Sequence, residues 1–192
     1  MDKVPIELRS ILNEIERALD TKLYYLAIAV ALSVPDICAC LEFDPDNPRW
    51  ANRDTYAAWC DANLAGHFLN LTGDDLYNLR GGVLHKGHFG HQKSRFDRVI
   101  FLGPDSPIKM HDRIVTVAPG IEIGGIKVEE LRLVGEILHL DVVQFCRSII
   151  AAAREWSTGR ADDQFVQRNL PLLVRYRPDG LPPFSVGIPV IA

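Results

Sequence analysis

The sequence predicts a mainly α-helical, single-domain protein of 192 residues. Apolar residues recur at helical spacing over most of the chain, and helix start and stop residues bracket those stretches. Turn formers confine β-type alternation to one short middle segment. The expected architecture is an antiparallel helical bundle with a small antiparallel β insert over about residues 96–128 and an extended tail over 170–192, all within one domain covering 1–192.

The first helix should run from Pro5 to Leu19, with Ile6, Ile11, Ile15 and Leu19 on its apolar face. Asp20-Thr21 offers a cap for a second, buried helix starting at Lys22, and Pro35-Asp36 should restart the chain into DICACLE. A loop dense in turn formers, Asp44 to Pro48, precedes a third helix from about Asn52 to Leu64. Thr72 and Asp75 are spaced as a capping box, and Leu71 and Leu76 as a hydrophobic staple, so a fourth helix should start there and stop at Gly87. Leu76, Leu79 and Val83 give it an apolar stripe. FDRVIFL, RIVTV and IEIGGIKV read as strands broken by glycine and proline turns. A long helix is expected from about Glu129 to Trp156, because Leu131, Val134, Leu138, Val142, Phe145, Ile149, Ala152 and Trp156 recur every three or four residues. The five prolines from Pro171 to Pro189 rule out a long helix in the tail.

With a net charge of −4, the whole surface is not that of a bulk polyanion binder, so any nucleic acid would have to meet a local basic patch. The apolar run Leu23 to Leu32 is shorter than a bilayer span of roughly 20 residues and reads as core, so no membrane partner is expected. Cys38, Cys40, Cys60 and Cys146 are scattered over apolar or helical stretches and no secretory signal is recognisable, which points to buried thiols in a reducing cytoplasm.

The densest chemistry lies at the end of the fourth helix. Tyr77-Asn78-Leu79-Arg80-Gly81-Gly82-Val83-Leu84-His85-Lys86-Gly87 resembles the signature of HEPN domains, in which an arginine is followed after four to six residues by a histidine on a helix. That resemblance implies an all-helical, often homodimeric bundle and, in many members, a metal-independent endoribonuclease whose arginine and histidine from both chains line one cleft. His85 would then move protons as a ribose 2′-hydroxyl attacks the phosphodiester, and Arg80 would neutralise charge on the phosphoryl oxygens. Five residues of helix rotate by about 140°, so one chain does not point both side chains the same way. Asn78 returns to nearly the face of His85 and is the third catalytic candidate. Gly81 stands where the family commonly carries a polar residue, which leaves a non-catalytic module that binds RNA or a protein as the alternative. Arg132 with His139 repeats the loose spacing, in the middle of the long helix.

Downstream, Lys86, His88, His91, Lys93 and Arg95, joined by Arg98 and with Phe89 and Phe96 among them, form the most basic stretch and the candidate RNA-binding surface. His85, His88 and His91 are interrupted by Gly87 and Gly90, and no carboxylate sits at ligand spacing, so neither metal nor another cofactor is expected. The expected partners are RNA, a second copy of the chain and an antitoxin or other protein, in keeping with a toxin or defence effector. A third reading places the function elsewhere in a helical bundle, and its mark would be Arg80 buried in an ion pair of its own chain.

Overall fold

The computed structural model describes residues 4–89, 94–127 and 134–192. The chain is mainly α, with six helices among these residues: α1 (Ile6–Asp20), α2 (Tyr24–Leu41), α3 (Arg53–Leu64), α4 (Gly73–Lys86), α5 (Val142–Gly159) and the short α6 (Gln164–Asn169). Helix α2 is the hub and touches α1, α3, α4 and α5.

The stripe that buries α1 is Leu8, Leu12, Ile15 and Leu19, whereas Ile6 faces solvent, so the apolar face is turned from the expected one at its start. Thr21 does not open α2. Its hydroxyl donates to the Arg17 carbonyl at 2.7 Å, closing α1, and Lys22 takes a left-handed turn with φ 61°. Pro35 does not restart the chain either, because α2 runs through it unbroken and packs on both sides of it. The cost of a mid-helix proline is met by a helix that carries buried residues from Ala27 to Leu41.

The capped helices form where the sequence places them. Asn52 and Thr55 exchange hydrogen bonds at the start of α3, at 2.9 and 3.0 Å. Thr72 and Asp75 do the same at α4, at 3.0 and 3.2 Å. Gly87 ends α4 in the left-handed conformation, φ 66°. Gly73 lies against the Ala57 backbone, where any Cβ would collide, so glycine is what lets α4 approach α3 this closely.

The β region differs most from expectation. Strands β1 (Arg98–Leu102) and β2 (Arg113–Val117) both pair with β5 (Gly135–Asp141), in the order β1-β5-β2, with β1 parallel and β2 antiparallel to it. Only β3 (Glu122–Ile123) and β4 (Ile126–Lys127) make the expected simple hairpin, turning through Gly124 and Gly125 at φ 59° and 80°. The expected long helix is therefore half strand. Its first residues, 129–133, lie outside the described residues, 135–141 form the central strand, and helix begins only at Val142, capped by Asp141 through the Gln144 amide at 2.8 Å. Gly135 explains the change: it sits at φ 130°, which no helix tolerates, with the Asp97 carboxylate where a side chain would be. That carboxylate also accepts the Glu136 amide at 2.7 Å.

Leu138 and Leu140 bury the sheet, and Phe101 from β1 meets Phe145 of α5 edge-on at 5.1 Å, which joins sheet and helices in one core. The tail is not simply extended. After a 3₁₀ turn at Leu170–Leu172, β6 (Tyr176–Arg177) pairs with β9 (Val190–Ile191), and β7 (Gly180–Leu181) with β8 (Ser185–Val186). Arg175 ties this tail to α1 through Glu7 at 3.5 Å.

Candidate functional site

The fold separates the residues that the sequence groups on α4. Arg80 points back into the bundle. Its Nε is ion-paired with the Asp36 carboxylate on α2, and its guanidinium lies 5.6 Å from the ring centres of both Tyr56 and Tyr77. The two side chains of the pair are only 20% and 18% exposed. Burial pushes the Asp36 carboxyl up from its ordinary value, outweighing the opposing pull of the Arg80 charge. Tyr56 is fully buried and donates its hydroxyl to the Leu32 carbonyl at 2.9 Å, so one face of Arg80 rests on a fixed ring.

His85 is exposed at the carboxyl end of α4, with no hydrogen bond or ion pair to Arg80. Asn78, expected to orient it, is buried at 6% exposure. The same helical face is covered at Asn78 and bare at His85, because α4 emerges from the bundle between them.

The basic stretch is also divided. Lys86 and His88 are exposed, while His91 and Lys93 lie outside the described residues. Arg95 is engaged within the chain: it donates to the Asn70 carbonyl, stands 3.8 Å from the Asp75 carboxylate and lies 4.6 Å from the Phe96 ring centre. Phe96 is buried and offers no open face for a base, and Phe89 is half-buried against Phe101 at 4.9 Å. Of the second arginine and histidine pair, Arg132 lies outside the described residues and His139 sits on β5, not on a helix.

What sequence reasoning missed is the setting of Arg80. It lines a cleft of about 760 Å³ with Asp36, Ile37 and Cys40 of α2 and Arg49 and Trp50 of the loop before α3. The loop was legible as a loop, but nothing in its composition ties it to Arg80. Trp50 is 92% exposed, and Arg49 is exposed with its guanidinium 4.9 Å from the Phe43 ring centre. Cys40, expected to be buried, is half-buried on the cleft and accepts the Ala51 amide at 3.3 Å, whereas Cys38, Cys60 and Cys146 are buried. Among the described residues no group of three or more histidine, cysteine or acidic side chains is arranged to hold a metal.

A second network, equally silent in the sequence, holds the start of α4. Asp112, 6% exposed and at φ 50°, accepts the backbone amides of Leu69 and Asn70, the latter at 3.0 Å, and its carbonyl accepts the Asn70 side chain at 2.8 Å. Beside it, burial holds the His111 imidazole below its ordinary pKa, and Nδ1 accepts the Asp141 amide at 3.2 Å.

Fold and site together define a mainly α protein that carries an arginine inside an open, largely apolar cleft. Comparison of the chain with family models, curated proteins and solved structures gave no match.

Proposed function

We propose that the chain is a helical-bundle, non-catalytic interaction module that works as a homodimer in the cytoplasm, with its function away from the Arg80–His85 motif, and not an endoribonuclease. The Arg80–Asp36 ion pair carries this reading. An arginine that stabilises a phosphoryl transition state must present its charge to the developing oxyanion. Here a carboxylate of the same chain holds Arg80 in the cleft beside α2, turned away from the exposed His85, as expected when the function does not depend on Arg80 and His85 acting together.

Helix α2 supports the dimer. It is apolar nearly all round, with one charged residue in its sequence, and such a helix is normally covered on every side. Only half of it is buried in this chain, and Leu23, Tyr25 and Leu26 remain about half exposed at its start. The Tyr25 hydroxyl donates to the Val83 carbonyl at 2.9 Å, so this bare patch continues onto the end of α4 at Leu84. The patch is apolar, Lys22, His85 and Lys86 stand at its rim, and the one charge of α2 is already paired, so two copies can meet across a two-fold axis with the rim charges left in solvent.

A second reading rests on the exposure of His85 and Lys86 beside the same patch. If two copies join there, a shared groove gathers both histidines, as an endoribonuclease acting as a toxin or defence effector requires. One experiment separates the two. Purified protein is incubated with single-stranded and structured RNAs in excess chelator, next to His85→Ala, and masses are measured by light scattering for wild type and Leu26→Glu. Intact RNA, a dimeric wild type and a monomeric Leu26→Glu support the module. Cleavage leaving 2′,3′-cyclic phosphates, lost in His85→Ala, transfers the conclusion to the ribonuclease. A monomeric wild type that leaves RNA intact refutes both.

A further inference from the structure

The cleft beside Arg80 has the composition of a ligand site, and it does not depend on the dimer. Its volume of about 760 Å³ lies within the ~300–1,000 Å³ of small-molecule sites. Its wall is mainly aliphatic, and three charged side chains reach it: Asp36, Arg49 and Arg80. Two guanidinium groups against one carboxylate leave one positive charge in excess.

Arg80 has five N–H donors. Nε faces Asp36, and no described residue accepts a hydrogen bond from the two terminal nitrogens. They form a planar fork held before any ligand arrives, because Tyr56 and Tyr77 pack together on one side of the guanidinium and Asp36 holds its inner edge. A fork of that shape matches the two oxygens of a carboxylate. At the mouth, Trp50 leaves a whole indole in water, a large apolar surface that nothing in the described chain covers. Arg49 lines the same cleft, its guanidinium 4.9 Å from the Phe43 ring centre, and brings a second positive charge to it.

We propose that this cleft binds a small aromatic carboxylate, with its oxygens on the guanidinium groups of Arg80 and Arg49 and its ring against Trp50. The single negative charge of such a ligand balances the excess of the cleft. Its flat body covers the indole and the apolar wall at Ile37.

Trp50 is also the reporter, since Trp59 and Trp156, the other two tryptophans, are buried. The test is titration of the full chain with trans-cinnamate, followed by tryptophan quenching and by calorimetry, beside the neutral isostere cinnamamide. Saturable one-to-one binding is expected, with the amide at least about tenfold weaker, as loss of a charge-assisted fork implies. Arg49→Ala, a surface change that leaves the core intact, should weaken cinnamate by about tenfold. Trp50→Phe should keep the calorimetric signal and lose the quenching. Absence of saturable binding by calorimetry up to about 10 mM, equal affinity for acid and amide, or unchanged binding in Arg49→Ala would each overturn the proposal.

Discussion

The Arg80–Asp36 pair supports a prediction whose sign is not the one an ion pair first suggests. Replacing Asp36 by alanine leaves the Arg80 guanidinium without its counter-ion beside two tyrosine rings, in a pair of which about a fifth is exposed. Breaking a fully buried pair costs about 3–5 kcal/mol, and the partial exposure reduces this to about 2–3 kcal/mol. Replacing Asp36 by asparagine is different, because a polar oxygen of the same shape stays beside the guanidinium and only the charge is lost. The folded state holds the Asp36 proton more tightly than the unfolded chain does, since desolvation outweighs the attraction of Arg80. Ionisation of Asp36 therefore disfavours folding. Its contribution is fully present below the ordinary carboxylate range and is lost as pH rises through the raised folded value. At neutral pH, Asp36→Asn should equal or slightly exceed wild type in stability, and its advantage should fade as pH falls toward about 4. The assay is urea unfolding of the three proteins across that range, comparing midpoints at constant slope. If asparagine costs as much as alanine at neutral pH, charge attraction dominates the pair and the reasoning fails. If alanine costs nothing, Asp36 does not hold Arg80 in place.

Other outcomes follow from the same geometry. Asp112→Ala removes the acceptor of two backbone amides and should cost about 2–4 kcal/mol by thermal or urea unfolding. Asp112→Gly should be about 1 kcal/mol less damaging, because glycine relieves the left-handed backbone at φ 50°. Cys40 should be the first thiol labelled by a disulfide reagent at about pH 8, since it alone of the four is reachable from solvent; burial raises its pKa too, but Cys38, Cys60 and Cys146 are raised and buried, Cys146 to about 12. Labelling of all four at one rate would contradict the burial. Asp46, lowered chiefly by its hydrogen bond to Arg168, should act opposite in sign to Asp36, adding stability above the ordinary carboxylate range that is lost as pH falls; Asp46→Asn should flatten the acid limb of the stability curve.

Helix boundaries that rest on local chemistry were legible in the chain. Thr72 with Asp75 and the left-handed Gly87 bracket α4 because each signal acts within a few residues of the backbone group it satisfies. The Asn52–Leu64 helix and the Gly124-Gly125 hairpin were readable for the same reason. The failure at Gly135 to Asp141 is of another kind. Val134, Leu138 and Val142 fit a helical period, but Ile137, Leu138 and Leu140 are all buried in a central strand, and a strand buried on both faces shows no clean alternation. Its identity depends on β1 and β2, which lie far upstream and supply its hydrogen bonds.

The site failed to show for a related reason. Helical geometry alone required that Arg80 and His85 of one chain diverge, and they do, so a one-chain catalytic pair was never available to this sequence. What geometry within α4 could not supply is the direction of Arg80's divergence. That depends on Asp36, which lies past the buried Pro35 where the sequence signals a break. Because packing carries α2 straight through that proline, the carboxylate arrives opposite Arg80 on a continuous helix, and the cleft opens between that helix end and the Arg49-Trp50 loop. The proline that obscured α2 in the sequence thus also obscured the partner of the residue that matters most. Any change that breaks α2 at Pro35 should release Arg80 and open the cleft together, whereas changes at His85 should leave both intact.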